Sequence, residues 1–541
     1  MPDRAPLPPH RRPAGRGLKL AVLVTGLAVL AAAILAASPR EPAPVDLAYT
    51  IDLSEAPGGT LVIALETTGD LPRLLDLAFP PGVFGDAGNG VTPHSARAEV
   101  PASAGRPSRT LPVERTGDGW QVATDGAAAV RLTYRVDLAR VRGHESDIRR
   151  HISTPVAGGV RAAGFEIFLT PAGLPVRDIV VSLHNPGELP VLVPWPTLLR
   201  GTARTAAAAD SLAAAGPADT LAAAHLGAGQ RYLPAGAPPA AAPAGPAAIA
   251  ALSVPAGRSY HPRDVRDLAN ALLVCGDLRT LATEVRDGVI QYATDRRWRF
   301  ADTEALDLVA RIARTQVGFF GSAPASPITV LLAANEVTAA EGFDVYGVHT
   351  GSSILVLVDP DLTWGELEEN AASVISHEMF HGWLGEAIPQ SDPATLWFTE
   401  GATSWFAARM LTAAGIWRPE HARRVVASRV QRDYRESELL GTVAIADAAA
   451  AVMGEPRQVR FAYAGGTAAC MALDQWLASA SGLVRPLDAV LRHLYATRDG
   501  SPLSRASLEA AVHEVTGVAC GWWLDEHVYG KTVLPPTDQV I

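Results

Sequence analysis

Cysteine is scarce in this chain: Cys275, Cys470 and Cys520 are the only three among 541 residues. An odd set of three allows at most one disulfide, which excludes a scaffold held together by cystine bridges. Basic clusters are also missing. The net charge is −10, with no basic face beyond the amino-terminal flank, so nucleic acid is not an expected partner. No internal repeat is evident. A chain of this length can bury several cores.

Against that background one pattern stands out. Residues 377 to 381 read His-Glu-Met-Phe-His, and after eighteen further residues comes Glu400 in Trp-Phe-Thr-Glu-Gly-Ala-Thr-Ser-Trp-Phe. On a helix His377 and His381 lie one turn apart on one face, with Glu378 beside them. Two imidazoles of this kind are half of a catalytic zinc site, which commonly takes three protein ligands and leaves a fourth position for water. Glu400 is the natural third ligand, and Glu378 the general base.

The flanking residues predict a helical hairpin. Thr363-Trp-Gly-Glu366 has capping-box spacing ahead of an apolar helix that can end at Gly385, and Ser391-Asp392-Pro393 offers a second start for a helix from Leu396 to Leu411. Two helices joined so closely should pack antiparallel and return Glu400 to His381.

At these residues the chain resembles the gluzincin metallopeptidases, and within them it is most similar to the glycyl aminopeptidase family. Three further stretches carry the likeness: Tyr463-Ala-Gly-Gly466, similar to the family's Tyr-x-Lys-Gly helix start; the closing segment from Gly517 to Pro535; and Asp344-Val-Tyr-Gly347-Val-His349-Thr-Gly-Ser-Ser353. The resemblance implies one Zn²⁺ per chain held by His377, His381 and Glu400, and a peptide or protein substrate. It also implies that the phenol of Tyr463 stabilises the oxyanion. Tyr346, Gly347 and His349, on a Gly-punctuated loop ahead of an apolar run that reads as a strand, are implied to line the substrate cleft. Two departures matter. The family's lysine is Gly465 here, and Val348 stands where related enzymes place a glutamate that holds the free amino terminus. An aminopeptidase is therefore expected by resemblance. The alternatives are an endopeptidase indifferent to the amino terminus, or a silent binding protein on the same fold. His493, His513 and His527 read as surface groups, and Glu386, Asp359 and Asp361 as loop and cap residues.

The expected architecture is multidomain α+β. Residues 1–19 form a basic flank, and 20–38 an uncharged stretch about as long as a bilayer crossing, read as a signal anchor or signal peptide. This makes the membrane a partner through the amino-terminal segment and puts the catalytic body outside the cytoplasm, single-pass or secreted. Short β-like runs punctuated by Gly, Pro and Asn predict an antiparallel β-sandwich-like domain over 45–200. Residues 201–258, rich in Ala and Pro, read as a linker or insertion. A thermolysin-like catalytic domain is expected over 259–480 and a helical region over 481–541, with no room for a PDZ-like module.

Overall fold

The computed structural model describes residues 42–80, 94–103, 106–117, 119–138, 152–195, 197–198, 259–325, 327–335, 345–390, 392–451 and 456–537. The expected amino-terminal anchor and the Ala/Pro-rich segment 201–258 lie outside the described residues. Among the described residues no helix is long and apolar enough to cross a membrane.

The amino-terminal region is built from alternation. Along Thr60–Thr68 and Ala129–Asp137 every second residue is buried, which places one face of each strand in a core and the other outward. These strands belong to an eight-stranded sheet that lies over a four-stranded one, with a shared apolar core. Buried phenols stitch this core to the backbone: Tyr49 donates to the Leu169 carbonyl and Tyr134 to that of Ile167. The pairing is antiparallel except where Val45–Asp52 runs parallel to Val176–His184. Residues beyond the Ala/Pro-rich segment return to these sheets: Ser259–Tyr260 pairs with the strand Val176–His184, and Leu272–Cys275 with Gly159–Ala163.

A five-stranded sheet follows, from β1 (Arg279–Val285), β2 (Gly288–Thr294), β3 (Ile328–Ala334), β4 (Val345–Thr350) and β5 (Ser353–Val358), in the order β1-β2-β3-β5-β4. Strands β3 and β5 are apolar almost throughout and buried on both faces, as parallel strands under helices must be. The crossover from β2 to β3 is α1 (Asp302–Phe320), whose inner face packs on the sheet. Strand β4 is the open edge. The apolar run Ser353–Val358 therefore lies inside the sheet, and the edge is formed by the preceding segment, which pairs antiparallel with it.

Helices complete the body. Thr363 caps the first turn as expected: its hydroxyl accepts from the Glu366 amide, and Glu366 accepts from the Thr363 amide at 2.8 Å. A π-turn, Leu367–Ala371, then leads into α2 (Ala372–Phe380). The helix stops at His381 rather than at Gly385, because Glu386, Ala387 and Ile388 turn back and donate to the carbonyls of His381, Gly382 and Trp383. Asp392 caps a single 3-10 turn before α3 (Leu396–Ala413). Further helices are α4 (Pro419–Val430), which runs into a π-turn at Gln431–Arg435, and α5 (Pro456–Ser481). The chain beyond is helical over Pro486–Ala496, Arg505–Thr516 and Gly521–His527.

Candidate metal centre and active site

Helix α2 divides its residues by face. Ile375, Ser376, Met379 and Phe380 go into the core, leaving His377, Glu378 and His381 on the side that faces the cleft. Buried Ser376 locks the helix, donating to the Ala407 carbonyl of α3 and meeting Gln316 of α1.

Helix α3 is buried nearly all round. A carboxylate in such a helix is costly unless it meets positive charge or donors. Glu400 meets both imidazoles, with Oε2 at 3.3 Å from Nε2 of His377 and 3.5 Å from Nε2 of His381, while the two Nε2 atoms are 3.0 Å apart. Nδ1 of His381 faces the Leu384 carbonyl at 3.1 Å. A carbonyl can only accept, so Nδ1 carries a proton and Nε2 is the nitrogen that faces the triangle. Ser404, one turn beyond Glu400, meets Nδ1 of His377 at 3.3 Å, and its hydroxyl can accept from that nitrogen.

Burial opposes charge on His381, yet Glu400 outweighs it and lifts the pKa to about 9. The same imidazoles overcome burial at Glu400 and hold its carboxyl far below the usual range. The point between the three groups thus attracts positive charge. Ligand atoms about 2.0–2.1 Å from a tetrahedral Zn²⁺ are separated from one another by about 3.3 Å, which is the size of this triangle. Among the described residues it is the one cluster of three such ligands.

Glycines bring the remaining groups close. Helices α3 and α5 cross at Gly401 and Gly466, where a Cβ on Gly401 would lie 2.2 Å from the Gly466 carbonyl carbon and one on Gly466 2.3 Å from the Trp397 oxygen. That contact sets Glu400 beside Tyr463, one turn before Gly466. The Tyr463 ring stacks 6.0 Å from that of His377, and burial followed by Glu400 keeps its hydroxyl protonated far above the usual range. It lies inside α5, two turns from Pro456, rather than at a helix start. Gly465 is packed by Tyr434 and Ile445, each 3.2 Å from where a Cβ would be, so no long side chain fits there.

Tyr346, Gly347 and His349 lie on edge strand β4, not on a loop. Gly347 passes so close to α2 that a Cβ would meet Cγ of Glu378 at 2.6 Å. Burial followed by the two imidazoles, which pull the other way, leaves the Glu378 carboxyl above its usual pKa. The ring nitrogens of His349 are shielded from solvent, and burial, helped by His381, holds its pKa down at about 3. Tyr346 packs against the apolar cluster of Leu355 and Leu357, on the strand face away from Gly347. Val348 points the same way, into that cluster. Glu341 and Asp344 lie outside the described residues.

Residues 316–519 match the model of the Peptidase family M1 domain. Aminopeptidases N of Lactobacillus delbrueckii subsp. lactis and Lactobacillus helveticus are 28% and 29% identical to the chain over 127 residues, 23% of this chain and 15% of each relative. The fold of the chain is that of solved M1 proteins. An aminopeptidase N family protein from Idiomarina loihiensis superposes with a TM-score of 0.65 at 16% identity, over 90% of this chain and 77% of that one. The M1 zinc metallopeptidase of Deinococcus radiodurans gives 0.51 at 14% identity, over 93% of this chain and 96% of that one. The matched domain contains the ligand triangle, Glu378 and Tyr463; β4, with Tyr346, Gly347 and His349, also falls within it. Ser404, Gln316 and the Leu384 carbonyl escape a motif search. Ser404 alone leaves a trace, as a polar residue in an apolar helix one turn after Glu400.

Proposed function

We propose that the chain is a zinc-dependent peptidase of aminopeptidase type. The observation that carries this reading is the triangle of His377, His381 and Glu400 with Glu378 on the same helical face. Bound there, zinc would acidify a water and polarise the scissile carbonyl. The chain supplies the rest. Glu378 takes the proton of the attacking water and returns it to the departing amine. Tyr463, protonated and next to the ligands, donates to the oxygen that becomes negative. The Leu384 carbonyl and Ser404 keep both imidazoles turned with Nε2 inward. Strand β4 offers its free edge to an extended substrate.

Similarity to aminopeptidases N and to an M1 enzyme whose variant was solved with a Tyr-Ser-Ala substrate supports action on peptide amino termini. The burial of Val348 away from the site supports the second reading, an endopeptidase mode that needs no free amine. Matched peptides with free and acetylated amino termini separate the two. A strong preference for the free amine is expected of the first, and equal cleavage overturns it. Running the free-amine series with glycine and alanine at the first position tests the narrower likeness to glycyl aminopeptidases. The uncharged stretch 20–38 behind a basic flank supports export and membrane attachment; recovery of the full chain in the soluble fraction of its host's cytoplasm would overturn that.

A further inference from the structure

A residue far away in the sequence reaches the turn that follows His381. The short helix Val265–Ala269 lies in the segment that returns from the Ala/Pro-rich stretch. Asp264 caps it, accepting from the Asp267 amide at 2.8 Å, and Leu268 is buried in the core of the amino-terminal sheets. Gly164 passes so close that a Cβ there would lie 2.0 Å from the Leu268 carbonyl oxygen. The helix is thus fixed to the amino-terminal region. From it Arg266 extends to the turn, where Nη2 donates to the Gly385 carbonyl at 3.4 Å and lies 3.5 Å from Oε2 of Glu386.

That turn orients His381. The Leu384 carbonyl, which faces Nδ1 of His381 at 3.1 Å, belongs to the peptide joining Leu384 to Gly385. Glycine resists backbone rotation least, and Gly385 stands at φ +140°, so this peptide has a free pivot at one end. The next peptide is what stops it turning. Its N–H, on Glu386, donates to the His381 carbonyl at 3.1 Å, and its carbonyl, on Gly385, accepts from Arg266. The turn makes the first of these bonds itself, but the second comes only from Arg266, whose guanidinium Glu386 holds in place. The turn also rests directly on the imidazole, since a Cβ on Gly385 would lie 3.5 Å from Nδ1.

Resting on the zinc reading of the triangle, we propose that Arg266, paired with Glu386, is a positioning residue for the ligand His381. By gripping the Gly385–Glu386 peptide it keeps the Leu384 carbonyl on Nδ1, and so keeps Nε2 aimed at the metal. The amino-terminal region thereby contributes to the metal centre without supplying a ligand.

Zinc affinity of the full chain, measured by competition with a chelator, tests this without turnover. Arg266→Ala is expected to weaken zinc binding about tenfold, the lower end of the cost of losing a group that orients a ligand. It should also shift the visible absorption of the cobalt-loaded protein, which reports ligand geometry. The zinc-free protein should melt at the original temperature, because the Arg266 side chain is 52% exposed and such ion pairs add little stability. Arg266→Lys keeps the charge and a donor and should recover part of the affinity. In a Glu386→Gln background Arg266→Ala should cost less than in the wild type, as coupled residues do. Arg266→Ala protein with wild-type zinc affinity overturns the proposal, and so does weaker zinc binding with an unchanged cobalt spectrum. The zinc reading fails differently, through wild-type protein that takes up no zinc.

Discussion

The two walls of the site are made differently. The helical wall, α3 and α5, presents side chains: Glu400, Ser404 and Tyr463 on helices whose backbones touch at Gly401 and Gly466. The opposite wall, β4, presents mainly backbone. Its inward positions are Gly347, pressed on Glu378, and His349, neutral and shielded. On the proposed function one wall would set the chemistry through its side chains, while the other would align the substrate through amides that any sequence possesses. Helix α2 lies between them and belongs functionally to both.

The sharpest test of that division removes the acid of α2. Glu378→Gln keeps the shape and should lower peptide hydrolysis by about 10²- to 10⁴-fold, the usual contribution of a positioned base, while zinc content measured by elemental analysis stays at one per chain. Glu400→Ala should instead lose zinc, because the two imidazoles are left without the carboxylate that closes the triangle. Loss of zinc from the first variant or full zinc in the second would reverse the roles.

On the helical wall the next effect is at Tyr463. On the proposed function the phenol donates in the transition state, so Tyr463→Phe should reduce kcat by about a hundredfold with KM little changed. A packing role would tolerate the change, because the ring and its stacking on His377 remain. Near-normal turnover would reduce the phenol to packing on His377 and undo the contrast between the walls.

How far the sequence disclosed this site follows the same contrast. His377, Glu378, His381 and Glu400 were legible because helical periodicity turns spacing into geometry, and a carboxylate in an otherwise apolar helix needs a reason. Tyr463 was legible only through resemblance, since nothing local separates it from a packing aromatic. The strand wall was misread. Tyr346 to His349 look like a loop because Gly347 interrupts the run, but that glycine is required by the approach of Glu378 and sits inside a paired strand. The end of α2 was placed at Gly385 because a backward turn onto three carbonyls leaves no residue signature. The β-rich region was visible in its alternation. The return of Ser259–Tyr260 and Leu272–Cys275 to its sheets was not, because strand partners across a long insertion cannot be inferred from periodicity.

The smallest expected effects compare the two walls directly. Gly466→Ala puts a methyl against the Trp397 carbonyl oxygen, which is backbone and can move only if α3 shifts. Gly347→Ala meets Cγ1 of Val374 and Cγ of Glu378, which are side chains that can rotate away. Overpacking against a fixed helix crossing should cost about 1–3 kcal/mol, read as a lower denaturant midpoint for Gly466→Ala, with activity per folded molecule reduced as Glu400 and Tyr463 separate. Gly347→Ala should stay within about 1 kcal/mol of the parent in stability, because rotamer adjustment is the cheaper response, yet lose activity through displaced Glu378. If both variants are destabilised alike, β4 is held as rigidly as the helix crossing and the substrate wall is no softer than the chemical one. If Gly347→Ala keeps full activity, Glu378 has room to spare and the close approach of β4 is packing alone.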